Sequence, residues 1–132
     1  MKFELVSPTR VIYEGTVEEI NAPGIEGDFG VLPGHTPFLT FLNVGELIYK
    51  VEGQEKYVAI DGGIIEVLPT RVIAVVDDAY HAEEIDLKEA EEMKNTSEQR
   101  LRELSENDKE YLLEKGKLTK AVNLIKVASR MK

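Results

Sequence analysis

The chain has no cysteine and only two histidines in 132 residues. Without thiols it is not a disulfide scaffold, a zinc–thiolate site or a thiol enzyme. No run of about 18 apolar residues occurs, and MKFELVSP lacks the apolar stretch of a secretory leader. The expectation is therefore a soluble chain on the cytoplasmic side, able to sit on a membrane complex without crossing the bilayer. Lysine and arginine number 16 against 25 acids, a net charge of −9. That balance argues against nucleic acid as the main partner, because neutralising phosphates needs clustered cations. Proline stops at Pro69, and beyond Glu83 the one glycine is Gly116. The chain is thus two regions of different chemistry.

In the first region short apolar stretches alternate with turn signals. Phe3 and Leu5 alternate with Lys2 and Glu4 before Ser7-Pro8. Val11-Ile12-Tyr13, Thr16 to Ala22 and Pro37 to Val44 follow. Leu47, Tyr49 and Val51 then face Val58 and Ile60 across Gly53-Gln54, a hairpin pattern. Gly62-Gly63 should separate that strand from Ile64 to Leu68, and Pro69-Thr70 should separate the latter from Arg71 to Val76. The wholly apolar run Val72 to Val76 suits a strand covered on both faces. Period-2 patterning with no helical period predicts an all-β sandwich over residues 1–84.

Residues 85–132 are helix formers. Asp86-Leu87-Lys88-Glu89 has the spacing of a capping box. Leu87, Ala90, Lys94, Ser97, Leu101 and Leu104 then recur at helical spacing, and Ser105 to Asp108 makes a polar break. A second helix offers Tyr111, Leu118, Ala121, Val122, Ile125 and Ala128 on one face. The short connection predicts an antiparallel α-helical hairpin, each arm about 30 Å long at 1.5 Å per residue. Residues 107–132 carry three acids and seven bases, a basic end on an acidic protein. Such a segment either compensates its acidic neighbour or docks on an acidic partner.

Gly27 to Pro37, GDFGVLPGHTP, holds three glycines and two prolines in eleven residues. Glycine admits positive φ and proline fixes φ, so the stretch prescribes a particular path. Asp28-Phe29-Gly30 matches a kinase tripeptide without the accompanying catalytic loop. Gly24, Gly27 and Gly30 are not followed by a helix or by the Lys-Ser/Thr of a phosphate loop. His35 and His81 lie in unrelated contexts, which excludes a histidine-rich metal site. No G-x-S-x-G elbow is present. Asp61, Asp77 and Asp78 are solvated acids at strand ends, and Asn95-Thr96-Ser97 is a glycosylation match on a helix. No catalytic residue and no metal ligand is assigned.

GDFGVLPGHTP resembles the G-[DE]-x-G-[IV]-x-P-G-H-x-P signature of the epsilon subunits of F-type ATP synthases. Asp61-Gly62-Gly63-Ile64-Ile65-Glu66-Val67 is similar to that family's second signature, and Val17 with Ile20 also fits. The order, length and two-region layout agree over the whole chain. The resemblance implies a non-catalytic rotor subunit of the central stalk, coupling ion flow to ATP synthesis. It implies a sandwich that binds the gamma subunit and rests on the ring of c subunits. Asp28 would then lie in the loop facing the ring and His35 at the gamma contact, with Pro33 a further interface residue. The subunit would sit peripherally on the cytoplasmic face of a bacterial membrane. The hairpin would fold down on the sandwich or extend along gamma and inhibit hydrolysis. When extended, Lys109, Lys115, Lys117, Lys120, Lys126 and Arg130 would approach acidic loops of the catalytic beta subunits.

Some members bind regulatory ATP through [IL]-D-x-x-R-A. Here Ile85, Asp86 and Ala90 match, but Glu89 replaces the arginine, which weakens the expectation of a nucleotide; no other cofactor is expected. Two rival readings remain open on the residues alone: a free-standing β-sandwich binding module with a helical oligomerisation hairpin, and a small enzyme using Asp28 or His35.

Overall fold

Phe3 and Leu5 are fully buried while their neighbours Lys2, Glu4 and Val6 lie on the other face of the strand. That alternation sets the pattern for the N-terminal unit. The computed structural model describes residues 1–131, in two compact units that divide between His81 and Ala82. The first contains β1 (Lys2–Val6), β2 (Val11–Thr16), β3 (Glu19–Gly24), β4 (Gly27–Val31), β5 (Phe38–Val51), β6 (Gln54–Val67), β7 (Arg71–Val76) and β8 (Ala79–His81). Hydrogen bonding runs in the order β2-β1-β7-β6-β5-β3-β4, with β8 on β6. All pairs are antiparallel except β1 with β7, which are parallel. The unit is the β-sandwich that the alternation predicts.

β5 and β6 are its spine. They form one long hairpin in register from Phe38 opposite Val67 to Val51 opposite Gln54. Glu52 and Gly53, both at positive φ, make the turn. Near the turn Leu47, Tyr49, Val58 and Ile60 point inward; beyond the middle Leu42, Ile65 and Val67 do. The inward parity therefore changes from odd to even along β5 and from even to odd along β6. Gly62 and Gly63 sit at the change, with φ of 96° and 156°. This corrects the expectation that Gly62-Gly63 divides two strands. The glycines absorb the bend while the ladder continues through it, which a residue with a Cβ does at a cost.

Two further expectations change. Val72–Val76 is not covered on both faces: Val72, Ala74 and Val76 are buried, but Val75 is 42% exposed. The Gly27–Pro37 stretch begins as strand β4 rather than loop, its residues Gly27 to Val31 pairing with β3. Buried side chains such as Phe3, Ile20, Leu47, Ile60 and Ile65 fill the space between the layers, each worth roughly 1.5–3 kcal/mol of transfer free energy.

The second unit contains α1 (Leu87–Glu103) and α2 (Lys109–Ala128), an antiparallel hairpin flanked by short 3-10 turns at Ala82–Glu84 and Ser129–Met131. Asp86 caps α1, its Oδ1 accepting from the Glu89 amide at 3.1 Å. Between the helices Asp108 Oδ2 accepts from the Ser105 amide at 2.9 Å, closing the polar break on itself. The less exposed side of α1 is Leu87, Ala90, Lys94, Ser97, Leu101 and Leu104, as the spacing predicts. On α2 the predicted face needs correcting. Val122 is 47% exposed, whereas Glu114, Ala121, Asn123, Val127 and Ala128 are buried. Glu114 accepts ion pairs from Arg100 of α1 and Lys117 of α2, so its burial is partly compensated.

Candidate functional site

Sheet register brings a row of apolar side chains onto the outer face of the sandwich. Phe41 pairs with Ile64, Ile64 with Val75, Val75 with Val6, and Val6 with Val11. Ile25 joins the far end, its amide donating to the Phe41 carbonyl at 3.0 Å. Leu39 stands one pleat along. Phe41 and Leu39 are both 62% exposed, Val11 59% and Ile25 57%. Single exposed apolar residues are ordinary, but a continuous band across the strands marks a contact surface. Sequence reasoning missed these residues. The signal was the apolar character of both parities in Val72–Val76, here the mark of an exposed apolar face rather than of a second covering layer.

Acids border the band. Glu66 lies beside Leu39 in the neighbouring row, and Asp77 stands at the Gly62-Gly63 bend. The nearby cations are engaged: Lys2 and Arg71 both contact Glu4, while Arg10 contacts Asp78, the Ala79 carbonyl and the Tyr80 ring. Burial works to raise the Asp78 carboxyl. The Tyr80 hydroxyl, the Ala79 amide and Arg10 outweigh it and hold the group below its ordinary value. The same hydrogen bond pushes the Tyr80 phenol up to about 12.

The predicted site residues fall at different places. Asp28, in β4 next to the Gly24–Gly27 turn, and His35 line one open cavity of about 470 Å³. Phe29 and Phe38 stand in its wall, ring to ring at 5.1 Å, and the His35 ring lies 5.3 Å from Phe38. The path that delivers His35 is the one the glycines and prolines prescribe. Gly34, at φ 84°, donates its amide to the Pro69 carbonyl at 2.7 Å, and His35 Nδ1 bonds the Thr36 carbonyl oxygen at 2.7 Å. Pro33 is exposed in the same turn. The structure thus brings Asp28 and His35 together, although the signature suggested separate neighbours. Among the described residues no group of three His, Asp or Glu side chains converges as a metal site.

In the helical unit the nucleotide-motif residues differ in their surroundings. Ala90 is buried, Ile85 half-buried and Asp86 engaged as a cap. A small cavity of about 350 Å³ between the helices is lined by Glu89, Glu92, Met93, Thr96, Ser97, Glu114 and Lys117, three carboxylates against one ammonium. The six candidate bases Lys109, Lys115, Lys117, Lys120, Lys126 and Arg130 form no single stripe. At about 100° per residue, Lys109, Lys117 and Lys120 share one side of α2 and Lys115 and Lys126 another. Arg130 follows in the 3-10 turn.

The profile of the ATP synthase Delta/Epsilon chain beta-sandwich domain matches residues 1–82, and that of its long alpha-helix domain matches residues 83–129. The chain belongs to the epsilon-chain family of the F-type ATP synthase. It is 43% identical over 130 residues to ATP synthase epsilon chain 2 of Syntrophotalea carbinolica and 39% identical to the epsilon chain of Trichlorobacter lovleyi. Each match covers 98% of this chain and 94% of the relative. Its fold is similar to a chain of the Euglena gracilis mitochondrial ATP synthase, TM-score 0.80 at 23% identity, covering 92% of this chain and 77% of that one. A chain of the Tetrahymena thermophila central stalk and c ring follows at TM-score 0.54 and 16% identity, covering 98% and 94%. An epsilon chain is a structural subunit of the synthase, not a catalytic one. Among the described residues no helix is long and apolar enough to cross a membrane.

Proposed function

We propose that this epsilon chain works in the central stalk as a rotor subunit that couples ion translocation through the c ring to ATP synthesis. The observation that carries the reading is the apolar band of exposed Ile25, Phe41, Val75 and Val11, joined through half-buried Ile64. A band of that extent is what a subunit held permanently against a partner requires. Its occupant on this reading is the gamma subunit. The cavity with Asp28 and His35 supplies a polar surface for the loops of the c ring and the foot of gamma. On this reading the chain sits peripherally on the cytoplasmic side of the membrane.

The hairpin is the regulatory part. Its first arm is held by small side chains, Ala90 and Ser97, and Gly116 costs about 1 kcal/mol of helix propensity against alanine. Such a hairpin is stabilised by what it packs on, so it suits two postures of similar free energy. In the extended posture Lys109, Lys117 and Lys120 would meet acidic loops of the catalytic beta subunits and inhibit hydrolysis.

The test is binding to purified gamma, alone and in the catalytic hexamer with gamma. The unaltered chain should bind with a 1:1 ratio, and Phe41→Ser should weaken binding at least tenfold while the chain stays folded. A chain that fails to bind gamma, or that forms stable homodimers instead, sinks the reading in favour of a free-standing module. For the regulatory arm, deleting residues from Ser105 onward should raise hydrolysis by the assembled motor without preventing assembly.

A further inference from the structure

We infer that the contact face of the sandwich carries a socket for one basic side chain, arginine or lysine, of the stalk partner, with Asp77 as its counter-charge. The inference rests on the reading of the apolar band as the gamma contact.

The socket is an open cavity of about 600 Å³ at the bend of β6. Phe41, Ile64 and Val75, three members of the band, form its apolar side, and Gly62-Gly63 with Asp61 and Asp77 form the other. The diglycine makes the shape. A Cβ on Gly63 would come within 2.2 Å of the Val75 carbonyl oxygen, so only glycine lets β6 lie this close to β7. The Asp77 amide donates to the Gly62 carbonyl at 2.9 Å, and Asp77 Oδ2 is 3.8 Å from where a Gly62 Cβ would stand. The exposed Asp77 carboxylate therefore stands over the bare backbone of the bend, beside the apolar wall.

Two neighbouring aspartates have opposite circumstances. Asp78 is satisfied by the Ala79 amide, the Tyr80 hydroxyl and Arg10. Asp77 has no side-chain hydrogen bond or ion pair among the described residues. The cations of the nearby strands are committed elsewhere, Lys2 and Arg71 to Glu4 and Arg10 to Asp78. A partner that covers the apolar band strips water from Asp77. An unpaired carboxylate resists that desolvation, so the covering surface must bring a cation. Arginine and lysine fit the chemistry on both counts. Their methylene stems pack on Ile64 and Val75 while the charged head reaches the carboxylate, and the Phe41 ring offers a face to the cation. The border acid Glu66, also without a partner among the described residues, extends the same preference along the rim. The occupant is thus a partner segment whose apolar stripe is flanked by basic residues, with one of them seated at Asp77.

The experiment measures affinity for the purified catalytic hexamer with gamma, at about 50 and about 300 mM salt. At low salt Asp77→Asn should weaken binding about tenfold and Asp77→Lys about a hundredfold, and both losses should shrink at high salt. Glu55→Lys, a charge reversal near the opposite end of β6, should change affinity less than about twofold. Circular dichroism checks that each variant is folded; were Asp77→Lys to misfold, the isosteric Asp77→Asn decides. If Phe41→Ser weakens binding but both Asp77 variants bind like the unaltered chain, the socket is wrong and the contact face stands. If Phe41→Ser is also without effect, the contact face fails and the socket with it.

Discussion

Arg100 reaches from α1 to Glu110 of α2, Nη2 to Oε2 at 3.0 Å, and its Nε lies 4.0 Å from the buried Glu114. One guanidinium thus ties both arms of the hairpin at a level where the apolar contact is thin. Arg100→Ala should destabilise the hairpin by about 0.5–1 kcal/mol, because the pair with Glu110 is largely exposed. The loss should fade as salt is raised. Hydrogen exchange across residues 97–118, with and without added salt, checks this; unchanged protection at low salt would show that the ion pairs contribute nothing.

Tyr80 donates to Asp78 Oδ2 at 2.7 Å, and this bond makes stability depend on pH at both extremes. The folded phenol titrates at about 12 against an ordinary 10.0. Between those values the unfolded chain has lost a proton that the folded chain keeps, so stability declines as pH rises through that window. Asp78 is lowered in the folded state, so its contribution is present at neutral pH and is lost in acid as the pH falls through that lowered value. Tyr80→Phe should reduce the alkaline decline, leaving the share of the Tyr13 phenol that burial raises, and return the Asp78 carboxyl toward its ordinary value. Melting temperatures from pH 9 upward read the first effect; an undiminished slope in the variant would rule it out.

Gly63→Ala should be among the most damaging single substitutions in the sandwich. The new methyl would meet the Val75 carbonyl oxygen at 2.2 Å and sit at φ 156°. We expect a loss of roughly 2–4 kcal/mol from strain and displaced pairing. Gly27→Ala is the comparison. Its φ is 129° but nothing lies within 4 Å of the added carbon, so it should cost about 1–2 kcal/mol from backbone strain alone. Chemical denaturation of the two variants gives the difference, and equal losses would show that φ, not the clash, governs Gly63.

MgATP should not bind the hairpin at micromolar concentrations. Glu89 takes the arginine position of the nucleotide motif, Asp86 is spent on the α1 cap, and the cavity nearby exposes Glu89, Glu92 and Glu114 to any phosphate. Calorimetric titration reads this directly, and Glu89→Arg is the variant in which binding should be gained.

Much of the layout was legible in residue order. The turn at Gly53, the Asp86 cap and the buried stripe of α1 all follow from spacing, because each depends on neighbours within a few positions. The α2 face was legible only in part. Val122 lies one residue, about 100°, from the buried Ala121, and Glu114 is buried because Arg100 lies across from it, a pairing that helical spacing does not encode. The signature residues Asp28, Pro33 and His35 were found by pattern, but the arrangement of Asp28 and His35 around one cavity depends on Gly34 bonding to Pro69, 35 positions away.

By itself the sequence determined the split between a β region and a helical region, the exclusion of thiol chemistry, and membership of a family through two glycine-rich signatures. Only the tertiary structure decided which apolar residues are core and which are contact surface. Alternation along a strand tells two faces apart without saying which one water reaches. In β5 and β6 the alternation reverses part-way, at Gly62-Gly63. A reversal of that kind can be read only where the strands are paired, because it is their packing partners that turn one face from inside to outside.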